Sequence, residues 1–271
     1  MFVGWIRKNN FQSDLDEFTK SKVIDKNLIL NSMNENPSLC FGAYEDNRLV
    51  AFITAYIFEK SILINNFYYF DDVTKEIKQR VLKVLLNNID NEDKSILFLA
   101  SKDELEIFKS SDFKIFANFK KAVYSGDGVA FNFSNVTAKS ISNENYIPII
   151  KTIEKICYED DRVEYIVKNM FKSSSLVLST DFGYQHSYAI AQNLIKISPW
   201  TMDDGAFNDA EKLLRGVIYH RGLKQIVAFI PADIKEIREL YLSYKFSLVE
   251  DRYLIYKNKK PTINLEMTYA L

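Results

Sequence analysis

The chain has 271 residues, a net charge of −1, 47% apolar and 14% aromatic content, and two cysteines. That length holds one large or two ordinary domains with real hydrophobic cores, and it excludes a disordered chain or a disulfide framework. The balanced charge argues against a nucleic-acid partner, no stretch reaches 18 apolar residues, and Met1–Asn10 lacks a signal-type apolar run. The expectation is therefore a cytoplasmic protein without a membrane or nucleic-acid partner, with Cys40 and Cys157 as buried thiols.

In chain order, residues 11–33 read as a helix, with Leu15, Phe18, Ile24 and Leu28 near helical spacing and Asn36-Pro37 ending it. Residues 39–44 and 49–58 are apolar runs split by a short polar turn, which predicts a hairpin. A third strand over 61–70 runs into Asp71-Asp72, and one of these aspartates is expected to cap the next helix. That helix carries Ile77, Val81, Val84 and Leu85 on one face. A strand over 96–100, a short helix over 104–108 and two further strands within 113–124 complete the half. Ser125-Gly126-Asp127-Gly128 is the expected linker.

The second half predicts helices over 147–158 and 163–171, then strands over 176–179, 186–192 and 194–197. Pro199-Trp200 leads to a second aspartate pair, Asp203-Asp204, followed by a helix over 208–219. A strand over 225–230, a helix over 233–244 and strands over 246–256 and 262–270 finish the chain. The halves repeat one plan. Asp71-Asp72 and Asp203-Asp204 stand 132 residues apart, and at that offset Val81, Leu82, Leu85 and Leu86 meet Leu213, Leu214, Val217 and Ile218. Tyr124 and Tyr256, which end the closing segments, are also 132 apart.

This pattern resembles the GNAT superfamily of acyl-CoA-dependent N-acetyltransferases, in its tandem form, over essentially the whole chain. The clearest local match is ADIKEIRELYLSYKF, where Leu240-Tyr241 stands at the superfamily's Leu-Tyr positions and Phe246 at the Phe of its Gly-Phe. The first copy has EIFKSSDF, with Phe108 where the tyrosine would be. The resemblance implies an α+β fold: two tandem GNAT-like domains, at 1–126 and 136–271, each a mixed, mostly antiparallel twisted sheet flanked by helices. It implies acetyl-CoA or another acyl-CoA as co-substrate, no metal, and a small-molecule or peptide amine as acceptor. Chemically, a splayed strand pair would hold the thioester while backbone amides polarise its carbonyl. The superfamily's glycine-rich pyrophosphate loop is missing in both copies. Lys75 to Arg80 contains no glycine, and Asp203 to Asn208 contains one glycine and two carboxylates. That departure predicts weak, atypical or absent coenzyme A binding, and it keeps a catalytically inactive tandem module as the alternative.

The resemblance places Tyr241 as the acid that protonates the departing thiolate, which makes the second copy the catalytic one. Gly205 and Ala206 stand where the cofactor's pyrophosphate would approach the backbone. Asp203 and Asp204 are candidates for a cationic amine, or else for helix capping. Trp200 would line an acyl or acceptor pocket, or plug an inactive cleft. His186 and His220 have no metal-ligand spacing.

Overall fold

The computed structural model of the chain describes residues 1–89, 93–126, 139–140, 147–170 and 174–271. They form two compact units. One comprises Met1–Phe116 with Tyr253–Pro261, the other Ala117–Arg252 with Thr262–Leu271.

The first unit opens on β1 (Phe2–Trp5), an edge strand that pairs antiparallel with β2 (Cys40–Glu45). No strand is expected there from the sequence, because four residues are too few for an alternation signal. The expected long helix is two, α1 (Phe11–Ser21) and α2 (Lys26–Glu35). The chain is extended at Lys22, and the Asp25 carboxylate accepts from the Leu28 amide to cap α2. Phe11, Leu15 and Phe18 bury one face of α1 against Phe52, with Phe18 edge-on to it at 5.0 Å. The hairpin from β2 to β3 (Arg48–Ile57) turns at Asp46 and Asn47, both at positive φ, as a two-residue turn of matching twist requires.

Next come β4 (Ser61–Tyr69), α3 (Lys75–Asn87), β5 (Ser95–Ser101) and α4 (Lys102–Lys109). Val81, Leu82 and Leu85 press α3 onto the sheet. Ser101 and Glu104 form a reciprocal capping box on α4. The strand order is β1-β2-β3-β4-β5, then residues 253–258. Strands β4 and β5 pair in parallel, joined by the crossover helix α3.

Residues 113–124, expected as two strands, form one, β6 (Lys114–Tyr124). The unit division falls within it. Phe119–Tyr124 pair antiparallel with a strand at residues 226–231, and that ladder assigns 117–124 to the second unit rather than to the expected domain 1–126. The rest of the expected linker, Asp127-Gly128, lies outside the described residues.

The second unit continues with β7 (Lys139–Ser140), α5 (Ile147–Tyr158), α6 (Val163–Met170), β8 (Leu176–Thr180), β9 (Gly183–Ala191), β10 (Leu194–Met202), α7 (Phe207–Arg221), β11 (Gln225–Pro231), α8 (Lys235–Ser243), β12 (Ser247–Asn258) and β13 (Thr268–Ala270). The predicted end of α6 at Phe171 lies outside the described residues. The strand order is β12-β6-β11-β10-β9-β8-β7, with β13 added to β10. Here β10 and β11 are the parallel pair, joined by α7. On the other face, the buried Glu154 of α5 accepts from Tyr184 Oη at 2.5 Å and Thr201 Oγ1 at 2.8 Å, and Arg162 Nε lies 3.4 Å from it. Cys40 and Cys157 are free, buried thiols. The architecture is α+β and tandem, as the sequence predicts.

Candidate active site

Among the described residues, each unit has a place where two parallel strands part. In the first, β4 and β5 pair only from Ser61↔Ser95 to Ile64↔Phe98. The register of β4 against β3 then shifts, with Asn66 opposite Thr54 and Ile64 opposite Ala55, so Asn65 is an extra, bulged residue. The bulge turns Asn65 into a polar chain with the opposite strand and α2. Thr54 Oγ1 donates to Asn65 Oδ1 at 2.7 Å and accepts from Asn66 Nδ2 at 2.8 Å. Asn65 Nδ2 donates to Ser32 Oγ at 2.6 Å, and Ser32 Oγ donates to the Leu28 carbonyl at 2.9 Å. Thr54, Asn66 and Ser32 are buried, so this network fixes the side chains rather than hydrating them. Among the described residues, no strand fills the gap between the diverging ends of β4 and β5.

Beyond the gap, β4 delivers Tyr69 to the start of α3. The Lys78 ammonium lies 3.9 Å from the Tyr69 ring centre, and the Lys22 ammonium lies 5.2 Å from it. Lys22 also pairs with Asp71 at 2.9 Å. Partial burial pushes Lys78 below the ordinary lysine range, and the Lys22 charge adds to that shift. The cap position of α3 is Thr74, whose side chain makes no capping bond, so Asp71 and Asp72 are not the expected cap. They lie in the turn before it. The Glu76 carboxylate takes its own backbone amide and the Thr74 hydroxyl, which lowers its pKa. An anionic pyrophosphate suits the two ammonium groups. Glu76 opposes it, and the missing glycines make any approach depend on side chains rather than on close backbone contact. At the position matching Tyr241, Phe108 is fully buried and stacked on Phe98 at 4.5 Å. That position of the first copy therefore offers no phenol.

In the second unit, β10 and β11 pair from Leu194↔Gln225 to Lys196↔Val227 and then part. This gap is filled by the chain itself. β13 pairs antiparallel with β10, Trp200 opposite Ala270 and Thr201 opposite Thr268, and the Leu271 amide donates to the Phe229 carbonyl of β11 at 3.0 Å. The strand expected over 262–270 is thus confined to 268–270, where those two partners exist.

The residues singled out from the sequence separate into two sets. Trp200 and Tyr241 come together, both 0% exposed, with ring centres 5.8 Å apart. Tyr269 of β13 joins them, 5.1 Å from Trp200, and its carbonyl accepts from Tyr241 Oη at 3.1 Å. Burial, and then the neighbouring Tyr269, raise the Tyr241 hydroxyl well above the ordinary tyrosine range. The phenol thus has a backbone partner where the family resemblance implies a leaving group. Asp203, Asp204, Gly205 and Ala206 form a turn ahead of α7. The Ala206 amide donates to the Asp203 carbonyl at 3.2 Å, and Gly205 sits at φ +73° with open space around it. Ala206 is the cap residue, and the Asp203 carboxylate accepts from the Asp204 amide, so this pair does not cap its helix either. Sequence reasoning missed Tyr269, Ser32, Thr54 and Asn65. An alternating strand signal marks Thr54, but the bulge that recruits Asn65 leaves no local mark.

Each unit has mixed strand pairing and a parallel strand pair that parts near a register irregularity, and the fold is that of tandem GNAT proteins, as comparison with solved structures shows. The chain superposes on a provisionally named acetyltransferase from Pyrococcus horikoshii with a TM-score of 0.80 and 18% identity, covering 100% of this chain and 93% of that one. A tandem GNAT protein from the clavulanic acid biosynthesis pathway matches at TM-score 0.65 and 8% identity, covering 94% and 97%. A GCN5-related N-acetyltransferase from Sphaerobacter thermophilus matches at 0.60 and 10%, covering 98% of both chains. No family model matches the chain, and no curated protein matches it in sequence.

Proposed function

We propose that the protein is an acyl-CoA-dependent N-acyltransferase, transferring an acetyl or related acyl group to a primary amine of a small molecule or peptide in the cytoplasm. The first copy is the working one and the second supports it. The observation that carries this reading is the contrast between the two strand openings. The gap after Ile64 and Phe98 has no strand in it among the described residues, whereas β13 fills the corresponding gap in the second unit. The parting of the strands opens a cleft along which an extended amide-bearing arm of the co-substrate can lie as an added strand. Lys22 and Lys78 favour its anionic end. The Asn65 network presents fixed amide and hydroxyl dipoles beside the bulge, where an incoming amine can be oriented. With Phe108 in the tyrosine's place, the departing thiolate takes its proton from water or from the acceptor ammonium. That chemistry needs little from the protein beyond positioning.

The inactive-module reading draws on two observations, the absent glycine loop and Phe108. Calorimetric titration with acetyl-CoA separates the two. Saturable micromolar binding that Lys78→Glu weakens by about tenfold or more, as expected from about 1–4 kcal/mol per close charge pair, supports the enzyme. No binding at millimolar ligand overturns it in favour of the inactive module. Binding that Lys78→Glu leaves unchanged overturns the assignment to the first copy.

A further inference from the structure

Apart from both strand openings, the second unit holds a serine and a histidine in direct hydrogen-bond contact. Ser175 is half-buried, just ahead of β8, and His186 of β9 is 1% exposed. His186 Nε2 lies 2.9 Å from Ser175 Oγ, and Nδ1 lies 2.8 Å from the carbonyl oxygen of Ser198. A carbonyl oxygen can only accept. In the neutral imidazole the proton therefore sits on Nδ1, and Nε2 carries the lone pair. The Ser175 hydroxyl must then be the donor, pointed at a base. The Ser198 carbonyl can serve the histidine because the ladder between β9 and β10 shifts register between Ile197 and Trp200. Stacking on Tyr188, at 4.9 Å and 17°, further fixes the ring. Nucleophile, base and orienting group thus stand in the order that activates a hydroxyl. The serine is the member nearer the surface, and the base is the member shielded from water.

We propose that Ser175 is an acyl-accepting nucleophile and His186 its general base, acting on activated acyl esters and thioesters. Ser175 Oγ bonds to the acyl carbon as its proton passes to His186 Nε2. The bond from that carbon to the leaving oxygen or sulfur breaks, and the leaving group takes the proton from Nε2. The products are an acyl-serine ester and a free alcohol or thiol. Water then attacks the ester through the same base, releasing the carboxylic acid and restoring the hydroxyl.

The test treats the full chain with p-nitrophenyl acetate, follows p-nitrophenol release, and maps the acetyl group by peptide mass spectrometry. The expected result is acetylation at Ser175 in preference to the adjacent Ser174, whose hydroxyl oxygen accepts from the Ala189 amide. Ser175→Ala abolishes the label, and His186→Gln slows it by about 10²–10⁴-fold, the range of general-base catalysis. Acetyl groups on lysines or on Ser174 but not on Ser175 would overturn the proposal, as would an unchanged rate in a folded His186→Gln variant. The map of the unaltered protein decides the matter even if a variant fails to fold. Acetyl-CoA binding at the first copy does not enter this readout, so the two proposals fail independently.

Discussion

The Tyr241 hydroxyl is spent on the Tyr269 carbonyl inside a cluster with Trp200, and this sets what its removal does. Tyr241→Phe deletes one neutral buried hydrogen bond and leaves a carbonyl without it, a loss of about 1–3 kcal/mol. The expected outcome is a lower urea midpoint with an unchanged acetyl-CoA titration. A variant of normal stability that bound normally but lost turnover would instead restore Tyr241 as the acid. The two thiols give a second residue-level prediction. Burial pushes both Cys40 and Cys157 from 9.0 up to about 12. Each folded thiol therefore keeps its proton where the unfolded one loses it. Stability from this source is intact below pH 9 and falls as pH rises from about 9 to about 12, because the folded state then binds more protons. With both thiols contributing, the limiting slope is about 2.7 kcal/mol per pH unit. Melting temperature should drop more steeply above pH 9 in the unaltered protein than in Cys40→Ala, measured from each variant's own value at pH 8. Parallel curves would contradict the assignment.

At the scale of elements, the periodic helices and apolar strands were legible because each buries one face, as Val81, Leu82 and Leu85 do in α3 and Leu213, Leu214 and Val217 do in α7. Three features were not. The break at residues 22–25 depends on the Asp25 cap, which interrupts a run that otherwise keeps helical spacing. The place of β13 depends on two strands parting far away in sequence. The fixed Asn65 network depends on a bulge, and a bulge shows only when both strands are seen. The likeness of Tyr241 and Leu240 to the superfamily signature pointed to the second copy, whereas our proposal places the reaction in the first. A helix-face tyrosine carries the same letter whether its hydroxyl meets a ligand or a carbonyl. The buried Glu154 ties α5 to β9 and β10 and has Arg162 as its counter-charge. Arg162→Met leaves that carboxylate buried and uncompensated, a cost of about 3–5 kcal/mol. Glu154→Gln with Arg162→Met should recover a large part of it. A single Arg162→Met variant as stable as the unaltered protein, by urea unfolding, would show that the charge is not confined as described.

For the whole molecule, the repeat at an offset of 132 reads as two independent domains, yet each unit contains chain from both halves of the sequence. The first needs 253–261 beside 1–116, and the second needs 117–124 beside the strand at 225–231. Strand exchange of this kind leaves the hydrophobic pattern of every segment unchanged, because a strand has the same alternation whichever sheet receives it. Its consequence appears when the chain is cut. A fragment of residues 1–126 keeps the hydrophobic cluster around Phe41, Ile53 and Val81 but loses Ile255, which packs in that cluster, and the main-chain partner of Ser95, whose Oγ donates to the Lys259 carbonyl at 2.7 Å. It also carries Phe119–Tyr124 without the strand that completes their ladder. An unpaired strand of that length, with open main-chain donors and acceptors along it, is a template for association. Expressed alone, 1–126 should therefore be oligomeric or insoluble, whereas co-expression with 127–271 should return a soluble one-to-one pair with a single cooperative melt. Size-exclusion chromatography with light scattering reads both outcomes. A monomeric 1–126 fragment with a cooperative transition would show that the first unit holds together without residues 253–261, and the two copies would then be domains in the ordinary, separable sense.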